Sequence, residues 1–184
     1  YTAFAVRRAV AAADRPYSLR VAIEPAYYSL QNTATPFSDA CVGGTTVAMK
    51  DDGSGLGSSD DGLSAATIST PTGFEFYGDA APKLVVSTNG FVSFDTAITS
   101  STPNTGEKIP DGSGSTSIAP FWADLRDVEV CQKTAGTKLT LQWTGRYTRE
   151  YSPVQMQMIL DASDQSIEFI YGPNWQVSLG FQAV

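Results

Sequence analysis

Histidine is missing from the sequence, which has 184 residues and only two cysteines. Ser-His-Asp catalysis, Cys-His catalysis and histidine-ligated zinc are therefore excluded in their usual forms. A carboxylate pair for glycoside hydrolysis could combine Asp124 with Asp127 or Glu150, but sequence spacing does not place two carboxylates across a cleft. Acidic residues at strand ends are usually solvated, so the chain is predicted not to be an enzyme.

Long apolar runs and excess positive charge are also lacking. No run of about eighteen apolar residues occurs, so membrane insertion is not predicted. The formal net charge of −7 argues against nucleic acid as a partner, because a polyanion requires a basic face. Residues 1–30 nevertheless carry a net charge of +2, so −9 falls on the remainder. The charged residues of this basic arm are Arg7, Arg8, Arg15 and Arg20 with Asp14 and Glu24.

The two cysteines, Cys41 and Cys131, are ninety residues apart. This spacing excludes a C-x-x-C redox motif and the usual metal sites. A disulfide worth roughly 3–5 kcal/mol is expected in an oxidising compartment, with two buried free thiols as the alternative. The chain begins at Tyr1 rather than Met, which fits an extracellular or cell-surface protein whose signal peptide has been removed, although a cloned fragment would look the same.

Residues 1–31 are predicted to form a strand-like N-terminal arm, with a strand on either side of Pro16. Alanine and arginine in this segment favour a helix, but Phe4, Val6 and the run 18–24 alternate with the period of a strand. The arm could add a strand to the open edge of a neighbouring copy, and a repeated contact of this kind would build a fibre. Pairing with the chain's own sheet is the alternative. The residues expected to make the assembly contact are Phe4, Val6, Arg7, Arg8 and Val10.

Residues 32–184 are predicted to form a single all-β domain. Short strands separated by Gly-rich and Pro-rich turns indicate an antiparallel two-sheet β-sandwich, jelly-roll-like in outline. Asn89-Gly90 predicts a type I′ hairpin turn, and 161–164 predicts another short turn. The predicted strands are 45–50, 64–69, 73–77, 84–88, 91–95, 117–125, 128–132, 138–144, 154–160, 166–171 and 177–184.

The order of several motifs carries a resemblance to a known family. These motifs are FEFYG at 74–78, VVSTNGFVSF at 85–94, IAPFWADL at 118–125, VQMQMIL at 154–160 and IEFIYG at 167–172. Over about residues 64–184 the chain resembles a β-sandwich module of bacterial secreted and surface proteins that is similar to nidogen-like (NIDO-like) extracellular domains. VSLGFQ at 177–182 resembles its closing strand in slightly altered form. The resemblance implies a non-catalytic extracellular module.

A Gly-rich acidic loop at 51–62 is a candidate calcium site. Its carboxylates, on Asp51, Asp52, Asp60 and Asp61, are of the kind that hard cations prefer. Their spacing does not match an EF-hand, and a solvated acidic turn is the favoured alternative.

Exposed aromatic rings are candidates for contact with a glycan. Trp122 and Trp143 lie inside strand motifs and are predicted to pack in the core. Trp175 lies in the loop 172–176 and is the preferred ligand contact, with Tyr147 and Tyr151 as further candidates.

These observations predict a non-catalytic, extracellular structural or adhesive protein, which could self-assemble into a fibre if its N-terminal strand pairs with a neighbouring copy rather than with its own sheet. Its expected partners are other copies of itself, surface components or a glycan. The alternative is a monomeric module that binds a glycan or calcium. No other cofactor is predicted.

Overall fold

A computed structural model of the chain describes residues 17–24, 27–100 and 116–175, with side chains from residue 33 onward in these ranges. Within them every regular element is a β-strand, and no helix is of the length and apolarity that a membrane crossing requires. The predicted assembly residues Phe4, Val6, Arg7, Arg8 and Val10 lie outside the described residues, as does the predicted strand at 177–184. The all-β prediction is confirmed.

The strands are numbered in chain order. They are β1 (Tyr17–Glu24), β2 (Tyr27–Thr33), β3 (Thr45–Thr46), β4 (Met49–Asp51), β5 (Gly62–Ser64), β6 (Ile68–Ser69), β7 (Glu75–Phe76), β8 (Asp79–Ala80), β9 (Lys83–Ser87), β10 (Phe91–Ser93), β11 (Ser117–Ile118), β12 (Leu125–Ala135), β13 (Lys138–Tyr147), β14 (Pro153–Asp161) and β15 (Ser166–Tyr171).

Two antiparallel sheets form the predicted sandwich. The large sheet has seven strands in the order β2-β1-β15-β14-β13-β12-β3. The small sheet has the order β11-β10-β9-β5-β4, with β6 beside β9, and β7 and β8 form a separate hairpin. Consecutive long strands of the large sheet are neighbours from β12 to β15, because short hairpin loops join them.

Side chains that alternate along the strands form the core between the two sheets. Alternation with period two places every second residue on the inner face. Trp143 is completely buried, and its Nε1 donates to the Ser87 backbone oxygen over 2.8 Å. Trp122, which was also predicted to pack in the core, is only half-buried and lies outside this core, where it packs against Phe91 with 5.3 Å between the ring centroids. Core residues of the large sheet include Leu139, Leu141, Trp143, Val154, Met156, Met158, Leu160, Ile167 and Phe169.

The N-terminal hairpin extends the large sheet by two strands. β1 pairs with β15 of the same chain, with Tyr17 opposite Tyr171 and Val21 opposite Ile167. β2 pairs with β1 and is the outermost strand. The strand expected after Pro16 therefore lies on the chain's own sheet, and β2 ends two residues beyond the arm boundary expected at residue 31.

After β2 the chain crosses the outer face of the large sheet as a strap, residues 34–44. The strap begins beside β15, where the Thr33 hydroxyl donates to the Glu168 carboxylate. It then passes over β14 and β13 and reaches β12 at the disulfide between Cys41 and Cys131, whose Cα atoms are 5.3 Å apart. The predicted disulfide is confirmed, and it fixes the strap to the sheet.

The hairpin at 88–90 exists, but its predicted type I′ turn is wrong. Ser87 pairs with Phe91, so three residues form the loop, and only Gly90 has a positive φ, +75°. Such a three-residue loop with glycine in the left-handed region is a common hairpin form. The reason lies in Asn89, which is fully buried and is held by tertiary hydrogen bonds.

The strand predicted at 117–125 is interrupted in the structure. Its ends belong to β11 and β12, and the residues between them pack against the turn at Gly90. A Cβ at Gly90 would lie 1.9 Å from the Phe121 backbone oxygen. Regular pairing stops here because the turn contacts the backbone of this segment directly. The strand predicted at 64–69 is likewise divided, into β5 and β6.

Candidate functional site

The acidic loop, residues 51–62, joins β4 to β5. Asp51 accepts hydrogen bonds from the backbone amides of Gly53 (2.7 Å), Gly55 (3.3 Å) and Gly57 (2.7 Å). These bonds hold the pKa of the Asp51 carboxyl below its usual range. The carboxylate therefore organises the loop's own backbone, as an acidic turn does.

The other end of the loop is attached to the core. Asp61 is 2% exposed, and its Oδ1 accepts a hydrogen bond from Asn89 Nδ2 over 2.9 Å. Burial, followed by the charges of Asp61 and Asp124, raises the pKa of Asp60. Arg126 opposes this rise through an ion pair of 3.8 Å.

The four predicted calcium ligands differ in what their carboxylates contact. Asp51 binds loop amides, Asp52 accepts a hydrogen bond from the Ser54 amide over 2.9 Å, and Asp61 faces Asn89. Among the described residues, the ligand-type side chains found within 4.8 Å of one another in a group of three are Cys41, Glu129 and Cys131, and the two sulfurs form the disulfide. These contacts favour the acidic turn, and calcium binding stays a prediction.

Trp175 is not the freely exposed ring that its loop position suggested. It is partly buried against the core, and its ring makes edge contacts with Phe121 and Tyr171, at 4.8 Å each. The Tyr171 hydroxyl donates to the Pro120 backbone oxygen over 2.7 Å, and burial raises its pKa. Trp175 thus has a packing role, and its contact with a ligand stays a prediction.

Of the two tyrosines weighed with it, only Tyr151 is exposed. Tyr147 packs against Phe121 with 5.8 Å between ring centroids. Tyr151 lies in the loop between β13 and β14 and is 59% exposed. The Arg126 guanidinium lies 5.5 Å from the centre of its ring, and Arg126 Nη1 donates to its hydroxyl over 3.0 Å.

Arg126 joins Tyr151 to the acidic loop, because Arg126 Nη2 also lies 3.8 Å from Asp60 Oδ2. The sequence contains no signal for this grouping, since β12, the loop after β13 and the acidic loop are far apart along the chain. Pairing of β12 with β13 and the hydrogen bond from the Val128 amide to the Ser59 oxygen, 2.9 Å, bring them together.

A family model described as NIDO related matches residues 27–182. The chain belongs to the NIDO-related family. No curated protein and no solved structure matches it. The match confirms the resemblance and extends it toward the N-terminus, from about residue 64 to the start of β2. The NIDO-related domain is thus an extracellular type of module, and its internal disulfide fits that setting.

The most extensive open strand edge of the described NIDO-related domain belongs to β2. β2 has seven residues and pairs on one side with β1. The opposite edge of the large sheet consists of β3, with two residues, and of the rest of β12, where the Val128 amide and the Val130 oxygen are already bonded to Ser59 and Val47. The edges of the small sheet are β11, with two residues, and β4, with three. Short edge strands offer little backbone for pairing with another chain, whereas a seven-residue edge offers a template.

Proposed function

We propose that this NIDO-related domain is a non-catalytic structural and adhesive module that joins copies of itself by strand addition to β2. The observation that carries the proposal is the seven-residue edge of β2, which has no sheet partner on its outer side among the described residues. The outer amides and carbonyls of an edge strand bind an extended segment through main-chain hydrogen bonds.

The donor in this proposal is the alternating segment around Phe4, Val6 and Val10. A seven-residue stretch spans about 23 Å as a strand, so residues 4–10 match the length of β2. Residues 1–16 carry three arginines and one aspartate, a net charge of +2, which leaves −9 on the rest of the chain. Opposite charge favours association of the segment with a neighbouring copy, and salt weakens this attraction.

Donor and acceptor are different surfaces of the chain, so the contact is heterologous. A heterologous contact repeats from copy to copy and forms a fibre unless its rotation closes a ring. Assembly of this kind supports a structural or adhesive role at the cell exterior without any catalytic group.

Deletion of residues 1–15 tests the donor. The untagged full chain should form large particles by light scattering and fibres by negative-stain microscopy, and the deletion variant should be a folded monomer. Unchanged particle size after deletion, or a monomeric full chain at every concentration, contradicts the proposal. If the full chain is monomeric and the deletion variant has a lower melting temperature, residues 1–15 stabilise the chain's own sheet instead.

Proline substitutions test the acceptor. Successive amides of a strand point to opposite sides, so one of Ser29→Pro and Leu30→Pro removes a donor on the open side of β2 and the other removes one facing β1. We expect the variant that loses the outward amide to form no particles while its melting temperature stays unchanged. The variant that loses the amide facing β1 should have a lower melting temperature. If both variants assemble normally, β2 is not the acceptor.

A further inference from the structure

Tyr151 has a backbone conformation that is unfavourable for an aromatic residue, at the last position of a four-residue loop that the hydrogen bond from the Tyr147 amide to the Ser152 oxygen closes over 2.9 Å. Its φ is +53°, in the left-handed region that aromatic side chains rarely adopt. Tyr77 shares this conformation, but its ring packs edge-on against Phe76 at 4.6 Å. Gln165 also shares it, and its side chain binds the backbone of Ala162 in its own turn and of Gly73 and Glu75 in a distant segment. The Tyr151 ring, by contrast, is largely in solvent.

Asp127 is the other described non-glycine residue with positive φ, +54°, and short polar residues tolerate this region. Glycine or asparagine would adopt the backbone conformation at position 151 with less strain. A bulky ring at such a position, left 59% exposed, points to a use outside the fold.

The Tyr151 ring is held in one orientation. Arg126 covers one face, with its guanidinium carbon 5.5 Å from the ring centre, and Arg126 Nη1 donates to the hydroxyl over 3.0 Å. The exposed surface of the ring is therefore its opposite face. The loop that carries it is anchored at its start, where the Thr148 amide and hydroxyl donate to the Asp124 backbone oxygen (3.0 Å) and Oδ1 (3.1 Å).

The Arg126 guanidinium that covers the ring also has an acidic partner. The Asp60 side chain is 17% exposed and lies 3.8 Å from Arg126. The adjacent acidic loop is fixed to β12 by the hydrogen bond between the Val128 amide and Ser59. A rigid aromatic face with a neighbouring carboxylate and guanidinium is pre-organised for a ligand that has an apolar face and hydroxyl groups.

We infer that this end of the sandwich binds a neutral sugar ring of a glycan. Tyr151 stacks on the apolar face of the ring, Asp60 accepts hydrogen bonds from its hydroxyl groups, and Arg126 donates to its oxygens. The site lies apart from the β2 edge and goes beyond the proposed assembly.

The local charges favour a neutral sugar over two other ligands. An acidic sugar meets repulsion from Asp60 and from its acidic neighbours Asp61, Asp124 and Asp127, whose charges add to the effect of burial in raising the pKa of Asp60. A basic peptide would place its cation close to the Arg126 guanidinium, which lies against the Tyr151 ring and repels a second positive charge. Apolar stacking on the free face does not depend on charge.

The test measures binding of cellohexaose, maltohexaose and laminarihexaose to the untagged full chain by titration calorimetry and saturation-transfer NMR. We expect at least one to bind the wild type. Tyr151→Phe keeps the ring and should stay within about threefold in Kd, whereas Tyr151→Gly should weaken binding by about tenfold or more. The matched control, Val42→Gly, removes another exposed apolar side chain, 70% exposed, and should bind as the wild type does.

Melting temperatures separate a binding role from a structural one. Tyr151→Gly relieves the backbone strain, so its melting temperature should equal or exceed that of the wild type. A lower melting temperature would show that the ring supports the fold through Arg126 and would overturn the inference. The inference would also be overturned if none of the three sugars binds, or if Tyr151→Gly binds them as the wild type does. It would likewise be overturned if a peptide with the sequence of residues 1–13 binds in place of sugar and this binding depends on Tyr151. Particle size should not change in Tyr151→Gly, which separates this site from assembly.

Discussion

Gln142 and Gln157 lie opposite each other on β13 and β14, and Gln157 Nε2 donates to Gln142 Oε1 over 2.7 Å. Both side chains are on the outer face of the large sheet, yet they are 2% and 1% exposed because the strap covers them. Gln142 accepts a hydrogen bond from the Ala40 amide (2.8 Å) and donates to Asp39 Oδ1 (2.9 Å). Gln157 also donates to the Ser38 backbone oxygen over 2.5 Å. Two buried amides thus hold the strap.

Gln142→Leu should destabilise the domain by about 2–3 kcal/mol. The substitution leaves the Ala40 amide and the Gln157 amide without their shared acceptor in a buried position, and unpaired buried polar groups are costly. Urea denaturation measures the change in free energy of unfolding. Thr140→Val, at a half-buried position on the same face of β13, serves as control and should change stability by less than about 0.5 kcal/mol. Equal effects of the two substitutions would mean that the strap contacts contribute little.

Loss of the disulfide should lower stability by about 3–5 kcal/mol, because Cys41 and Cys131 close a loop with a sequence separation of 90. Comparison of the oxidised wild type with Cys41→Ser/Cys131→Ala by thermal melting measures the effect. A reducing agent should lower the melting temperature of the wild type and leave that of the double variant unchanged. An equal response of both proteins would point to an effect of the reductant other than disulfide cleavage.

Asp161 should make stability depend on acid pH. Although burial alone would raise its pKa, hydrogen bonds from Ser163, Thr137 and Lys138 lower it to about 2. The stabilisation is fully present above the unfolded-state pKa, about 3.9, and is lost as the pH falls through about 2. Asp161→Asn should therefore cost about 1 kcal/mol at pH 7.

The measurement for Asp161 is urea denaturation between pH 7 and pH 2. The free energies of unfolding of Asp161→Asn and the wild type should converge toward the acid end of this range. Asp79→Asn, at an exposed position, is the control and should follow the wild type throughout. A difference between Asp161→Asn and the wild type that stays constant with pH would exclude the carboxylate charge as its cause.

Gly90→Ala should destabilise the domain by about 3 kcal/mol or more. The new Cβ would lie 1.9 Å from the Phe121 oxygen and 2.9 Å from Met156 Cε. Gly136→Ala is the matched control, because Gly136 also has a positive φ, +60°, but has open space around it. The control should lose only about 1 kcal/mol in free energy of unfolding, because alanine adopts a positive φ less readily than glycine. Similar losses in urea denaturation would show that the contact with Phe121 relaxes easily.

Calcium is expected to leave the melting temperature unchanged, because Asp51 and Asp61 already accept hydrogen bonds from loop amides and from Asn89. Thermal melts with calcium and with a chelator measure this. A ligand at about a hundred times its Kd stabilises by about 2.7 kcal/mol, which such melts detect readily. If calcium raises the melting temperature of the wild type but not that of Asp60→Asn, the loop is a metal site.

The strands that the sequence identified best are those whose pattern is local. At 154–160 and 166–171 the alternation of apolar residues is a property of neighbouring residues, and β14 and β15 agree with these ranges within one residue at each end. The family could also be recognised from the sequence, because the resemblance depends on the order of motifs along the chain. The pairing of Cys41 with Cys131 followed from their number.

Contacts between distant segments could not be predicted from local sequence patterns. Asn89-Gly90 has the local signature of a type I′ turn, but Asn89 contacts Asp61 and the Leu125 amide (2.8 Å), and these tertiary bonds select another turn. Gln142 looks like an outward-facing polar residue until the strap covers it. Local alternation and cysteine number thus determined the sandwich and its disulfide from the sequence alone. The strap, the turn at Gly90 and the Tyr151–Arg126 pair were decided by the tertiary structure, because each depends on which strands become neighbours.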